Sequence, residues 1–299
     1  MKVAAWAYPI ERVASWAAFE AKLARAFADA ARAGAELCVV PEYASMELTS
    51  LAPDATTLAD QVAAMQPLLA PYLAAYAALA RAHALTIVGG SFPERLPTGE
   101  VRNRARVHLP DGRAIVVEKL QMTRFERERW DVVAGDPAAQ VVVDTPSGAR
   151  VGVAVCYDCE FPLLVRRLAA AGADVICVPS CTDAAAGYHR VAVACRARAL
   201  ENQCYVVQAP TVGDAPWSIA VDANTGAAGV FAPPDRGFPA DGVVAIGTVD
   251  APGWTVAELD LAAIAGVRAD GAVLNYRDWD RDAHLAGAVR VESWPGTRT

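Results

Sequence analysis

Short apolar runs alternate along this chain with longer stretches of helical spacing, and that rhythm predicts an α/β protein. Residues 2–7 read as a strand. Residues 11–33 carry Val13, Trp16, Phe19, Leu23, Phe27 and Ala30 at helical spacing and stop at Gly34. Residues 36–40 form a second strand, closed by Pro41-Glu42, and strand, helix, strand implies a sheet with helical cover. Residues 58–83 are helical again, interrupted near Pro67 and Pro71. The strand 86–92 contains Gly89-Gly90, which points to a close backbone approach, because no GxGxxG or GK[ST] context surrounds it. Strands 103–109 and 114–118 are joined by a Pro110-Asp111-Gly112 turn, and Lys119 follows directly. Residues 120–136 are polar and irregular, long enough for a functional loop.

In the second half, runs 140–143 and 151–155 pair around Pro146-Ser147-Gly148, and the latter leads straight into Cys156. Pro162 opens a helical pattern over 163–171, at the position where a missing N–H costs nothing. Strand 174–178, loop 179–183, helix 188–201 and strand 204–209 follow. Runs 219–221, 228–231 and 243–249 resemble a meander, 257–267 a last helix, and residues from Arg268 an extended tail. No linker or charge break divides the chain. The expectation is one domain over 1–267 with a mixed sheet, sheet packed on sheet and helices outside, and a tail over 268–299.

Composition narrows the function. With 299 residues, 54% apolar and 20% charged, the chain can bury a large core. A net charge of −7 argues against the basic face of a nucleic-acid binder, and the densest basic patch, Arg124 to Arg129, alternates with acids. Seven cysteines, an odd count placed in apolar strands and helices, read as reduced thiols. No signal-like start and no segment of transmembrane length is expected, so the predicted setting is soluble and cytoplasmic, without a membrane.

The candidate chemistry is positional. Glu42, Lys119 and Cys156 each stand directly after a predicted strand, and open α/β sheets place their chemistry beyond strand ends. Cys156 on a strand-to-helix turn is expected to meet free N–H groups and a helix dipole that lower a thiol pKa. The same residue type is among the most buried, so this stretch alone is equally compatible with a core filler. A carboxylate beside the thiol can serve as general base, and an ammonium can hold an oxyanion. None of the four histidines is placed for a Cys–His pair.

Pro41-Glu42-Tyr43, Glu118-Lys119-Leu120 and Cys156-Tyr157-Asp158 with Phe161-Pro162 resemble the Glu–Lys–Cys signature of the nitrilase superfamily of carbon–nitrogen hydrolases. Asn103 before a hairpin, Gly152 in the nucleophile strand and Arg198-Ala-Leu-Glu-Asn202 before a strand support it, over roughly residues 2–261. The resemblance implies a four-layer α-β-β-α sandwich, commonly paired through helices into a homodimer or higher homo-oligomer with C-terminal tails crossing. It implies Cys156 as nucleophile, Glu42 as general base, Lys119 as oxyanion-stabilising cation and the backbone N–H of Tyr157 as second oxyanion donor. It further implies Glu126 as a supporting glutamate, with Glu128 as the alternative. The implied partners are a small amide substrate and water, with no cofactor and no metal.

Cys-Tyr-Asp rather than Cys-Trp-Glu is similar to amidase and ω-amidase-like branches, so hydrolysis of a linear amide with release of ammonia is expected. N-carbamoyl amino acids and nitriles are the alternative substrates. Cys181, Thr182 and Asp183, after a strand, are candidate substrate contacts, with Tyr188, Arg124 and Arg127 behind them. The competing role for each arginine is an ion pair with a neighbouring acid. A different class of protein would use Cys156-Tyr-Asp-Cys159 as a CxxC thiol–disulfide motif. That reading leaves Glu42 and Lys119 without a role.

Overall fold

The computed structural model describes residues 1–279 and 290. In chain order β1 (Lys2–Pro9), α1 (Trp16–Arg32) and β2 (Leu37–Val39) lead into a 3-10 segment, Ala44–Leu51. Next come α2 (Leu58–Met65), α3 (Leu69–His83), β3 (Thr86–Arg95), β4 (Val101–His108) and β5 (Ala114–Glu118). After them lie α4 (Arg124–Arg129), β6 (Val132–Val133), β7 (Val142–Asp144) and β8 (Arg150–Val153). A 3-10 turn over Cys156–Glu160 precedes α5 (Pro162–Ala170), β9 (Val175–Ser180), α6 (Ala185–Asn202) and β10 (Tyr205–Asp214). The chain closes with β11 (Ala223–Asn224), β12 (Gly229–Phe231), β13 (Val243–Ile246), β14 (Gly253–Glu258), α7 (Leu261–Asp270) and α8 (Asn275–Asp278).

The strands run in the order β5-β4-β3-β2-β1-β10-β9-β8-β7. The ladder folds over at β1. One edge of β1 pairs with β2, while the other is shared by β14 along most of its length and by β10 at Tyr8 and Pro9. Two faces therefore stack. Alternate residues of β1 divide between them, as strand pleating requires. Val3, Ala5 and Ala7 pack with Val151, Val175 and Val207 in the core between the sheets. Ala4, Trp6 and Tyr8 pack with Phe19 and Phe27 of α1 and Tyr72 and Tyr76 of α3. This is the expected α-β-β-α sandwich, with α5 and α6 on the opposite outer side.

Direction matters more than order for the site. β1, β2 and β3 are mutually parallel; β4 turns back, and β5 turns back again to run with β2. β10, β9 and β8 are parallel to β1 as well. The carboxyl ends of β2, β5, β8 and β9 thus share one end of the sandwich. Gly90 allows β3 to approach β2 there, since a Cβ on it would stand 2.9 Å from the Pro41 carbonyl oxygen.

The structure departs from the sequence expectations in five places. The predicted loop 120–136 contains α4, opened by a capping box in which Thr123 and Glu126 satisfy each other's backbone. Residues 253–258 form β14, antiparallel to β1, and the last helix starts at Leu261 behind the N-cap Asp260 rather than at 257. Residues 219–221 are not a strand; β11 forms just after them. The stretch expected to be extended from 268 is helical to Asp270 and again over Asn275–Asp278, and Arg268 donates to the carbonyls of Gln203 and Ala173. The remainder of that tail lies outside the described residues. By length and composition Leu58–His83, 26 residues with hydropathy 1.4, is a candidate membrane span, which corrects the expectation that no segment reaches that length. It is broken at Gln66–Leu68 and lays Tyr72, Tyr76 and Ala80 on the sheet.

Candidate active site

At the shared strand end a cavity of about 340 Å³ is lined by Glu42, Lys119, Glu126 and Cys156, together with Cys181, Thr182 and Asp183. Five separate segments deliver these groups, and backbone bonds pin those of Glu42 and Lys119.

Glu42 follows β2 and precedes Tyr43, which holds a left-handed backbone (φ 55°) unusual for a residue with a side chain. The Tyr43 N–H donates to Ser91 Oγ at 3.0 Å, and its hydroxyl donates to Glu126 Oε1 at 2.7 Å. Lys119 follows β5. Its N–H donates to the Asn103 carbonyl (3.0 Å), and its own carbonyl accepts from Gly135 N (2.8 Å). A Cβ on Gly135 would stand 2.9 Å from that same carbonyl oxygen, so the loop can close on Lys119 only through glycine. Cys156 opens its 3-10 turn with φ 48°, a second left-handed non-glycine residue.

These side chains form a continuous polar network. Lys119 Nζ donates to Glu42 Oε1 at 2.8 Å and to Glu126 Oε2 at 2.7 Å, with all three residues almost fully buried. Asn103 Nδ2 donates to Glu42 Oε1 at 2.8 Å and to Glu126 Oε1 at 3.3 Å. The Cys156 thiol donates to the Cys181 carbonyl oxygen at 3.8 Å, and it lines the same cavity as the Glu42 carboxyl, near enough for the Glu42 charge to act on it. Thr123 donates to Glu126 from both N–H and hydroxyl.

The two glutamates are in opposite electrostatic positions. Burial pushes the Glu42 carboxyl above its usual range, and the Lys119 charge does not cancel it. Burial also raises Glu126, but Lys119 and the bonds from Lys119, Thr123 and Tyr43 outweigh it, leaving that carboxyl below its usual range. Burial alone would discharge Lys119, yet Glu126 and Glu42 hold it charged well above the usual lysine value. The Cys156 thiol is pushed well up by burial and by the Glu42 charge, against Lys119. That corrects the expectation of a thiol activated by a helix dipole: Cys156 begins a 3-10 turn of five residues, and α5 starts only at Pro162.

Asp158, for which the sequence offered no role, spans from the cysteine turn to the lysine segment. Its carboxylate accepts from the N–H of Leu120 at 3.1 Å and of Gln121 at 2.7 Å. Burial raises its pKa to about 7.

Of the two glutamates left open by sequence, Glu126 reaches Lys119, whereas Glu128 pairs with Arg124 on the surface at 2.7 Å. Arg124 lines the cavity but is engaged by that acid; Arg127 does not line it. Cys181, Thr182 and Asp183 line it. Tyr188 does not: its ring is buried, lies against the Gly226 position and leaves neighbouring Gly187 at the wall. Tyr157 lines the cavity and packs edge-on against Phe161. Cys159 is fully buried beside Cys195, and both are free thiols, so the CxxC spacing does not place a partner for Cys156 at the cavity. Sequence reasoning missed Tyr43 as a contact of Glu126 and Trp130 as a wall residue. It also missed the bridging by Asn103, which it had noted only as part of a motif.

Comparisons with known proteins show the family. The family model described as carbon-nitrogen hydrolase matches residues 2–234. The probable hydrolase YhcX of Bacillus subtilis (strain 168) is 36% identical over 214 residues, covering 71% of this chain and 41% of that protein. The deaminated glutathione amidase of Bos taurus is 32% identical over 197 residues, covering 62% of this chain and 57% of that protein. The chain thus spans about half the length of these relatives. Among solved structures, a carbon-nitrogen hydrolase from Helicobacter pylori G27 superimposes with TM-score 0.75 at 19% identity, covering 96% of this chain and 98% of that one. Saccharomyces cerevisiae Nit3, of the nitrilase superfamily, gives 0.67 at 22% identity, with 90% and 93% covered.

Proposed function

This chain belongs to the carbon–nitrogen hydrolase family, and from that premise we propose that it hydrolyses the C–N bond of a small linear amide through a thioester on Cys156. The observation that carries the reading is that Cys156 and Glu42 line one cavity, Glu42 being a buried carboxyl with a raised pKa that shares Lys119 with one that is lowered. Groups whose environments drive their pKa values apart divide into proton carrier and fixed charge. Glu42 is the carrier, and Glu126 is the standing anion that keeps Lys119 charged.

In the reaction the thiol proton passes to Glu42 as the sulfur bonds to the amide carbonyl carbon. The oxyanion is met by Lys119, which has three N–H donors and spends two on the glutamates. The N–H of Tyr157, near the start of its 3-10 turn, has no partner within the turn and supplies the second donor. Glu42 returns the proton to the nitrogen, the C–N bond breaks, and ammonia leaves. Water then attacks the thioester, giving a proton to Glu42; the C–S bond breaks, and the thiol is restored with a carboxylic acid as product. No cofactor or metal is needed for any step.

Relatives named deaminated glutathione amidase support testing amides first. Leu163 of α5 with Val193 and Leu200 of α6 leave an exposed apolar face outside the sandwich, which supports pairing with a second copy. The test is ammonia release across ω-amides, aliphatic amides, N-carbamoyl amino acids and nitriles, with intact-mass detection of an acyl adduct. Turnover and adduct are expected with amides and absent in Cys156→Ala. Turnover that survives Cys156→Ala refutes the mechanism.

A further inference from the structure

One wall of the cavity is a loop rather than a strand end. Between β10 and β11 the chain closes on itself, Ala215 N donating to the Asp222 carbonyl at 2.8 Å and Ser218 N to the Ala215 carbonyl at 2.8 Å. Ile219 and Ala220 of this loop line the cavity, and Ile219 is 44% exposed.

Asn224 Nδ2 holds the end of this loop through the Val221 carbonyl at 2.7 Å, and a side chain of α2 ties its outer part to the body. Gln61 lies on α2, is buried, and does not itself line the cavity. Its Nε2 donates to the Trp217 carbonyl at 2.8 Å, and its Oε1 accepts from the Ile219 N–H at 3.1 Å. One planar amide thus engages two backbone groups two residues apart, as a neighbouring strand would. Bonding at two points fixes the position of the Ile219 backbone and its tilt toward the cavity. The same cavity carries Phe125 of α4 and Trp130 at its end, so apolar side chains from two different segments bound it, alongside the Arg190–Glu160 pair. At about 340 Å³ it is at the small end of ligand sites.

On the hydrolase reading above, we propose that the loop 215–222 measures the acyl group of the substrate through Ile219, and that Gln61 is the positioning residue that sets it. The substrate class is a neutral aliphatic amide whose acyl chain extends past the reacting carbonyl to Ile219. A group that positions a wall, rather than one that holds the fold together, changes selection between long and short substrates.

The experiment compares Gln61→Met, which keeps side-chain length but removes both hydrogen bonds, with Ile219→Ser, which changes only the exposed surface. Two ratios are read in each: kcat/KM for hexanamide over acetamide, and the rate of Cys156 alkylation by 2-bromohexanamide over 2-bromoacetamide, followed by intact mass. Both variants are expected to lower both ratios about tenfold, the scale of a few lost apolar contacts in a pocket. Ratios equal to wild type in either variant overturn the proposal, including the case where long and short substrates suffer alike, as a general loss of structure would cause. The alkylation ratio needs no turnover. A wild-type protein that hydrolyses no amide removes the hydrolase reading, while the alkylation ratio still decides whether the loop measures chain length.

Discussion

Two glutamates on one lysine differ only in their other neighbours, and that difference divides their work. Both accept from Asn103; Glu42 also has the thiol in its cavity, while Glu126 has a tyrosine and a threonine donating twice. The Glu126 charge is one of the causes that raise Glu42. Glu42 accepts the thiol proton only when ionised, so kcat/KM falls as pH drops through its pKa, which lies above the ordinary carboxyl range. Glu126→Gln removes a nearby negative charge, so the acid limb of the pH–kcat/KM profile is expected to move to lower pH as the rate falls. A limb that moves up, or stays, refutes Glu42 as the proton acceptor. Asp158 makes a second residue-scale prediction. Asp158→Ala leaves the buried N–H groups of Leu120 and Gln121 without their acceptor, each costing roughly 1–3 kcal/mol. Urea denaturation should show that loss, and kcat should fall because Lys119 is no longer held in register with Cys156. Strand-end position exposed Glu42, Lys119 and Cys156 in the sequence. Asp158 was legible as a letter and not as a contact, because its partners are backbone groups 37 and 38 residues away.

The cysteine turn shows what element-level reading can and cannot reach. A β-branched apolar run ending in Cys156, then Pro162 starting a helix, correctly placed a strand and α5 on either side. The intervening 3-10 turn and the positive φ of Cys156 leave no mark in composition. A left-handed conformation costs a residue with a Cβ about 1–2 kcal/mol, which glycine does not incur. Cys156→Gly is therefore expected to unfold at higher urea than Cys156→Ala by about 1 kcal/mol, with both inactive. Equal stability would mean that the turn relaxes once the sulfur is gone. α4 carried a readable signal: Thr123 followed three residues later by Glu126 is a capping box, and it alone separates Glu126 from Glu128. β14 carried little. Its pairing is with β1, some 250 positions away, and it is held by the stacking of Trp254 on Trp6 at 4.8 Å. Helical spacing in the following alanine-rich run hid its end.

For the molecule as a whole, the site exists because parallel direction survives the fold-over at β1, so that β2, β5 and β8 end together although they belong to different layers. The order of elements made the layers legible; which strand ends meet was not, since that depends on pairing partners far apart in sequence. The same layering leaves α5 and α6 as an outer cover, with one side exposed among the described residues. Leu163 is 70% exposed and Val193 67%, large apolar groups on adjacent helices. Isolated exposed apolar residues need no explanation, but large ones on each of two packed helices give a second copy a surface to bury. Replacing Leu163 and Val193 together by glutamate places like charges on both sides of a two-fold contact, where each meets an equivalent patch. Sedimentation velocity should then show the wild-type protein as a dimer and the double variant as a monomer. Because both side chains point away from the core, the variant should keep its thermal transition at high protein dilution. A double variant that still sediments as a dimer would put the pairing face elsewhere on the sandwich.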